Sequence, residues 1–307
     1  MKRNIYSYSK LWMILFVLMG AACTNQVEDA IPVSGQPIGF SVQSDWKEIL
    51  NTRSNDKTQF GPNDEIQIFG FHKPFRDADE NVQFMYKEGD PTTGQKVTYD
   101  NGNWNYSPKR FWPKKGVLDF FASYPYNSVH YDVGNKRMTY NNNLTQDLLY
   151  GLATNRDCAS KETVSIWMVH ALAKVRIILD ESLGDIGQVT VSGYKTGHFS
   201  PINNGVPAWE IDNVNTHIYA DFRKYEGKVD EELKNNNSVT VFILPDKITG
   251  LKMWNSVGQE IDASEEIKKH TFLAGKVYNL TISKSNGVRK KNTNSRSIAM
   301  SVRCVSE

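Results

Sequence analysis

From about residue 30 onward, apolar residues recur at every second position far more often than at every 3.6. Ile38, Phe40 and Val42 alternate with Gly39, Ser41 and Gln43; Ile66, Ile68 and Gly70 alternate with Gln67 and Phe69; Val239, Val241 and Ile243 alternate with Thr240, Phe242 and Leu244. Successive side chains of a strand point to opposite faces, so this period predicts strands covered on one face or on both. Turn-forming clusters separate them at Gly61 to Asp64, Asp100 to Asn103, Asn203 to Gly205 and Asn235 to Asn237. Within the second cluster, Asn101-Gly102 is the pair whose preference for positive φ closes a tight hairpin. Only Asp230 to Lys234 and Ser264 to Lys269 read as short helices. Many short strands with regularly placed turns predict an all-β sandwich architecture. A long strand is expected from Val164 to Leu179, followed by a Gly-, Asp- and Ser-rich stretch from Asp180 to Gly187. That shift in composition divides the body into an N-terminal sandwich over 37–180 and a C-terminal one over 181–283. The chain of 307 residues is long enough for two cores, and no repeat of 20 to 50 residues is visible, which argues against a solenoid or propeller.

The first 22 residues follow another rule. Lys2, Arg3 and Lys10 precede the apolar run Leu11 to Leu18, which continues through Met19-Gly20-Ala21-Ala22 to Cys23. A run of about 12 residues makes roughly 18 Å of helix, short of the ~30 Å hydrocarbon core, so residues 1–22 read as an export signal rather than an anchor helix. Small residues directly before a cysteine look like a bacterial lipobox, with Gly20 in place of the usual Leu. A diacylated Cys23, an outer-membrane or cell-surface location and a polar tether over 23–36 are then expected. Ordinary signal cleavage, with Cys23 a bystander, is the alternative.

The formal charge of +2 is too small for a protein built on phosphate neutralisation, so no nucleic-acid partner is expected. The sum conceals a division into a leader of +3, a body over 23–283 of −6 and a tail over 284–307 of +5. With Cys23 acylated, Cys158 and Cys304 are the remaining thiols in an oxidising compartment. They form a candidate disulfide whose geometry sequence separation does not establish. No C-x-x-C, H-E-x-x-H or Cys/His cluster is present, so neither a metal nor a cofactor is expected. Phe111-Trp112-Pro113 and Phe120-Phe121 read as sandwich core rather than ligand platform. His170, in an apolar strand, reads as a buried, hydrogen-bonded imidazole, and Asp147 as a residue that bonds backbone N–H groups at a turn. No paired carboxylates and no nucleophile with a base are nominated by any motif, so an enzyme is not expected.

Several landmarks, taken in order, resemble the fimbrillin family, the subunits and tip proteins of type V pili, and most of all its gut-bacterial fimbrillin-like lipoproteins. They are Ile38-Gly39-Phe40-Ser41; Thr52-Arg53-Ser54; Asn63 to Phe71; Tyr106-Ser107-Pro108-Lys109-Arg110-Phe111-Trp112-Pro113; Leu118 to Pro125; Gln146 to Tyr150; His170 to Lys174; and Phe272 to Tyr278. Together they span most of residues 30–283. The resemblance implies two transthyretin-like β-sandwich domains in tandem on a lipoprotein precursor.

It also implies a mode of action. In the family an arginine-specific protease cuts the precursor, the first strand leaves, and a strand from another subunit takes its place. Arg53 and Ser54 match the cleavage position, in a polar, turn-prone stretch of the kind that proteases favour. The displaced strand would carry Ile38, Phe40 and Val42. In the tail, Ile298, Met300, Val302 and Cys304 repeat the same period after a polar, basic stretch and form a candidate donor strand. Pairing of the tail within its own C-terminal domain, with or without a Cys158–Cys304 bond, and an unstructured tail are the alternatives. The function expected is a structural precursor subunit of surface fimbriae. Its partners would be other fimbrial subunits, an arginine-specific protease and the outer membrane, with any host or bacterial surface ligand unspecified. The competing expectation is a non-polymerising surface adhesin or glycan-binding lipoprotein, with exposed members of its seven Trp and 14 Tyr stacked on sugar rings.

Overall fold

The structure is a computed structural model that describes residues 31–44, 59–74, 81–201, 207–212, 217–225, 230–284 and 300–306. In chain order its strands are β1 (Val33–Pro37), β2 (Phe40–Ser44), β3 (Glu65–Lys73), β4 (Val82–Met85), β5 (Gln95–Asp100), β6 (Asn103–Asn105), β7 (Phe111–Pro113) and β8 (Val117–Tyr124). There follow β9 (Val129–Asp132), β10 (Arg137–Asn141), β11 (Leu149–Asp157), β12 (Val164–His170), β13 (Ala173–Leu179), β14 (Ile186–Tyr194), β15 (Thr196–Phe199) and β16 (Glu210–Ile211). The last are β17 (His217–Arg223), β18 (Ser238–Ile243), β19 (Ile248–Asn255), β20 (Glu260–Asp262), β21 (Val277–Lys284) and β22 (Met300–Ser306), with helices α1 (Glu231–Asn236) and α2 (Ser264–Ile267).

The largest sheet runs β2-β12-β11-β8-β3-β5-β6, with β4 also on β3. Its central strands are apolar on both faces because both faces are covered. Ile66, Ile68, Leu118 and Phe120 pack on one side with Trp112 and Val97. Phe69, Phe71 and Phe121, with Tyr150 of the same sheet, pack on the other against Tyr131, Tyr140 and Phe199 of the layer formed by β16-β15-β10-β9. Gly70 is where this packing admits no side chain, since a Cβ there would lie 2.8 Å from that of Met85. The C-terminal half is a second sandwich, β18-β13-β21-β22 against β17-β14-β19-β20, closed over Val175, Ile177, Val189, Val191, Val241, Leu251 and Leu280. The protein is thus all-β, built of sandwiches, as its periodicity predicts.

Local chemistry also meets expectation. Asn101 and Gly102 have φ of 47° and 83° in the turn joining β5 to β6. Asp230 caps α1 by accepting a 2.9 Å hydrogen bond from Leu233 N–H. Asn236 ends that helix and Asn237 turns left-handed after it, so the asparagine run is a helix terminus rather than a strand-to-strand turn. Asn203 to Gly205 lie outside the described residues.

Three boundaries differ from the reading of the sequence. The expected strand over 164–179 is two strands: β12 pairs with β11 and β2, while β13 pairs with β18 and β21 of the other sandwich. The chain changes sheets at Ala171-Leu172, so β13 lies with the C-terminal unit and not with 37–180. Both residues are buried in the junction, and no polar break marks the passage. Second, β15 and β16 fall within 181–283 but pair with β10 of the N-terminal half. Third, β1 falls within the stretch read as tether and pairs with β7. Its side chains are mostly exposed, so it leaves no alternating apolar pattern.

The halves are joined by hydrogen bonds across that junction. Trp209 Nε1 donates to Ala171 O at 2.9 Å, Phe242 N to Leu144 O at 2.7 Å, and Tyr150 Oη to Pro201 O at 2.9 Å. Asp147 does more than hold a turn. Its Oδ1 accepts from Leu148 N–H at 2.8 Å, and its Oδ2 lies 2.5 Å from Nδ1 of the buried His170.

Cys158 is a free thiol buried at the end of the large sheet, and in the described backbone Cys304 stands opposite Leu280 in the C-terminal sandwich. The two cysteines thus lie at different sheets, Cys158 beside the end of β11 and Cys304 on β22. Burial, reinforced by Asp157, pushes the Cys158 thiol up to about 12, far from its reactive thiolate. Native protein should leave Cys158 unmodified by iodoacetamide at pH 8, with complete labelling in guanidinium, as read by peptide mass mapping.

Candidate functional site

The residues expected to form a removable first strand are all placed. Ile38, Phe40 and Val42 are 2%, 7% and 7% exposed, and all three face the core containing Phe120, Val164 and Ile166. β2 runs parallel to β12 with Phe40 opposite Val164 and Ser44 opposite Met168, and it forms one edge of the large sheet. An edge strand is held by one neighbour only, so its apolar side chains supply most of its attachment. Burying three such side chains stabilises the seat by about 5–9 kcal/mol in total.

A set of groups outside the ladder fixes the strand further. Ile38 N–H donates to Arg110 O at 2.9 Å, and Ile38 O accepts from the Tyr106 hydroxyl at 2.7 Å. The Tyr106 ring meets that of Phe40 edge-on at 5.7 Å, and Phe40 meets Phe120 at 5.4 Å. Lys109 lies over the outer face of Tyr106, 4.6 Å from its centroid. The segment Tyr106 to Arg110 is thus a clamp on the strand at Ile38. β1 is held more lightly. It pairs with β7 at Val33 and Pro37, and a pocket of about 110 Å³ lined by Ile31, Val33, Phe84, Lys109 and Phe111 separates it from β4.

At the other end of the chain, β22 pairs antiparallel with β21 and forms the edge of its sheet. Met300, Val302 and Cys304 stand opposite Lys284, Ile282 and Leu280 in the backbone register. Cys23, Arg53, Ser54 and Ile298 lie outside the described residues. The structure therefore brings Ile38, Phe40 and Val42 together in one groove and places the tail strand in the other sandwich. The clamp was not visible in sequence. Tyr106 and Arg110 belong to a recognised landmark, but their contact is with Ile38, 68 positions before Tyr106.

Burial raises the Tyr106 phenol to about 12 from an ordinary value of 10.0. Because the unfolded chain then loses its proton first, this contribution is complete below about pH 10 and lost as pH rises through 12. Tyr106→Phe should lower urea stability at pH 7 by about 1–2 kcal/mol, since Ile38 O loses its donor. Its stability should also fall less steeply than that of the wild type between pH 10 and 12.

Two solved structures share the fold. A proposed cell adhesion protein from Bacteroides uniformis is 17% identical, with a TM-score of 0.53 over 88% of this chain and 98% of its own. A second, from Bacteroides ovatus, is 14% identical, with a TM-score of 0.50 over 89% and 96%. No curated protein matches in sequence. The model of the fimbrillin-like family matches residues 52–299, leaving β1, β2 and β22 outside it. With that match over most of its length, the chain belongs to the fimbrillin-like family.

Proposed function

We propose that the protein is the exported precursor of a cell-surface fimbrial subunit, without enzymatic activity, and that it assembles by exchange of its first strand. Membership of the fimbrillin-like family makes it a fimbrial or adhesin-type surface protein. The observation that carries the finer reading is the seat of the first strand: Phe40 and Val42 on the edge strand β2, with Ile38 just before it, are three buried apolar side chains ahead of Arg53. Cleavage at Arg53 would leave residues 31–44 attached by noncovalent contacts alone. Their departure would uncover an apolar groove and the unpaired backbone edge of β12. A free edge of that kind is a template for a strand from another chain.

The tail supplies the strand. β22 sits at an edge of its own sheet, joined by residues 285–299, so it can leave without disturbing a strand on its far side. The +5 charge of the tail over 284–307 opposes the acidic body, which favours encounter with a second subunit within the ~8 Å screening length. Acylation at Cys23 would hold the precursor at the outer membrane until cleavage removes everything before Ser54.

Treating the purified precursor with an arginine-specific protease should give a product beginning at Ser54 and detergent-resistant ladders on a gel. Arg53→Ala should abolish both, and deletion of 300–306 should allow cleavage but prevent ladders. Fully cleaved wild-type protein that stays monomeric would contradict strand exchange. In cells, Cys23→Ser should lose palmitate labelling and shift the precursor out of the outer-membrane fraction; unchanged labelling would sink the lipoprotein assignment.

A further inference from the structure

The outward face of the sheet β17-β14-β19-β20 sets aromatic rings among paired charges. Its inward residues, among them Val189, Val191, Leu251 and Met253, close the C-terminal core. Its outward positions follow from register. Tyr219 lies opposite Ser192, Asp221 opposite Thr190, and Arg223 opposite Gln188; across the other side of β14, Gly250 lies opposite Ser192 and Trp254 opposite Gln188. Tyr219 is 69% exposed, although aromatic rings of its size are ordinarily covered. The small residues Ser192 and Gly250 beside it leave its ring standing over a low floor. From the spacing of strands and residues, the exposed Tyr219 and the partly buried Trp254 stand roughly 16 Å apart on one face, a span suited to an extended oligomer rather than a single small molecule.

The polar groups between the two rings are already held in place. Asp221 accepts from Gln188 Nε2 at 3.0 Å and from Arg223 Nε at 3.0 Å. Lys252 pairs with Glu260 at 2.8 Å. At the end of the sheet the Tyr225 hydroxyl bonds Asp185, which also pairs with Lys224, and its ring rests on Gly187, where a Cβ would come within 2.6 Å of it. Cations and carboxylates on this face are thus matched to one another, leaving no uncompensated field for a nucleic acid or an anionic membrane. Nor does the face resemble the centre of a protein interface, where charged residues are depleted and apolar ones cluster. Aromatic faces joined by fixed amide, guanidinium and carboxylate groups match a ligand of alternating C–H faces and hydroxyl edges.

We infer that this face binds an extended neutral polysaccharide, with Tyr219 and Trp254 stacked on sugar rings and Asp221, Arg223 and Gln188 bonded to hydroxyls between them. The site lies on the opposite sandwich from β2, so binding does not require strand exchange and its loss would not touch assembly.

Native affinity electrophoresis tests it, in gels containing laminarin, xyloglucan, galactomannan or dextran, with heparin and polygalacturonate as acidic counterparts. At least one neutral polysaccharide should retard the protein. Tyr219→Ala, an exposed change that leaves the fold intact, should weaken that retardation at least tenfold. Trp167→Ala, which removes an aromatic 55% exposed on the other sandwich, should leave it unchanged. Absence of retardation by every neutral polysaccharide would overturn the assignment. So would unchanged binding by Tyr219→Ala, or binding only to the acidic polymers that 0.5 M salt abolishes.

Discussion

The backbone of a sheet edge needs a partner, and in this protein the two ends of the chain supply it. β2 covers β12 at one edge of the large sheet and β22 covers β21 at an edge of the C-terminal sandwich. The two attachments differ in kind. β2 and the residues leading into it bring Phe40, Val42 and Ile38 into a core already lined by Phe120 and Ile166, and the Tyr106 clamp satisfies the backbone at Ile38 where no ladder does. Losing such a strand would expose apolar surface and unpaired amides together, a state that is stable only when another strand replaces it. The proposed assembly follows from that constraint: the same groove that stabilises the precursor would drive its polymerisation once the covalent link at Arg53 is cut.

The large sheet on which β2 sits is backed by the rest of the molecule. Its opposite face is covered by β9, β10, β15 and β16, a layer drawn from both halves of the chain. The return of β15 and β16 to the N-terminal half, with the bonds from Trp209 and Tyr150 across the junction, ties the sandwiches together. The C-terminal sandwich, meanwhile, keeps one sheet face open to solvent. Its outward face carries Tyr219 and Trp254 rather than the plain polar residues that alternation alone requires.

Much of this could be read from sequence because strands declare themselves locally. The alternation at Ile38 to Val42 and the mostly apolar runs at Ile66 to Phe71 and Val117 to Ala122, broken only by Gln67 and Asp119, state which residues are buried, and on how many faces. What sequence does not carry is which sheet a strand joins. β12 and β13 form one continuous apolar pattern, because Ala171 and Leu172 are as buried as the strands they connect. β1 leaves no pattern, because it is held through its backbone with its side chains in water. The clamp of Tyr106 on Ile38 and the pairing of Asp147 with His170 are contacts between distant positions, and single-residue chemistry nominates neither.

Hydrogen exchange at the amides of Val164 to Met168 tests the central claim most directly, because β2 is what shields that side of β12. Compared with the intact precursor, a chain cut at Arg53 and stripped of its first strand should exchange faster there, and the assembled polymer should recover protection to the precursor's level. Protection that stays the same through cleavage and assembly would mean that the first strand never leaves, and would contradict strand exchange at this site.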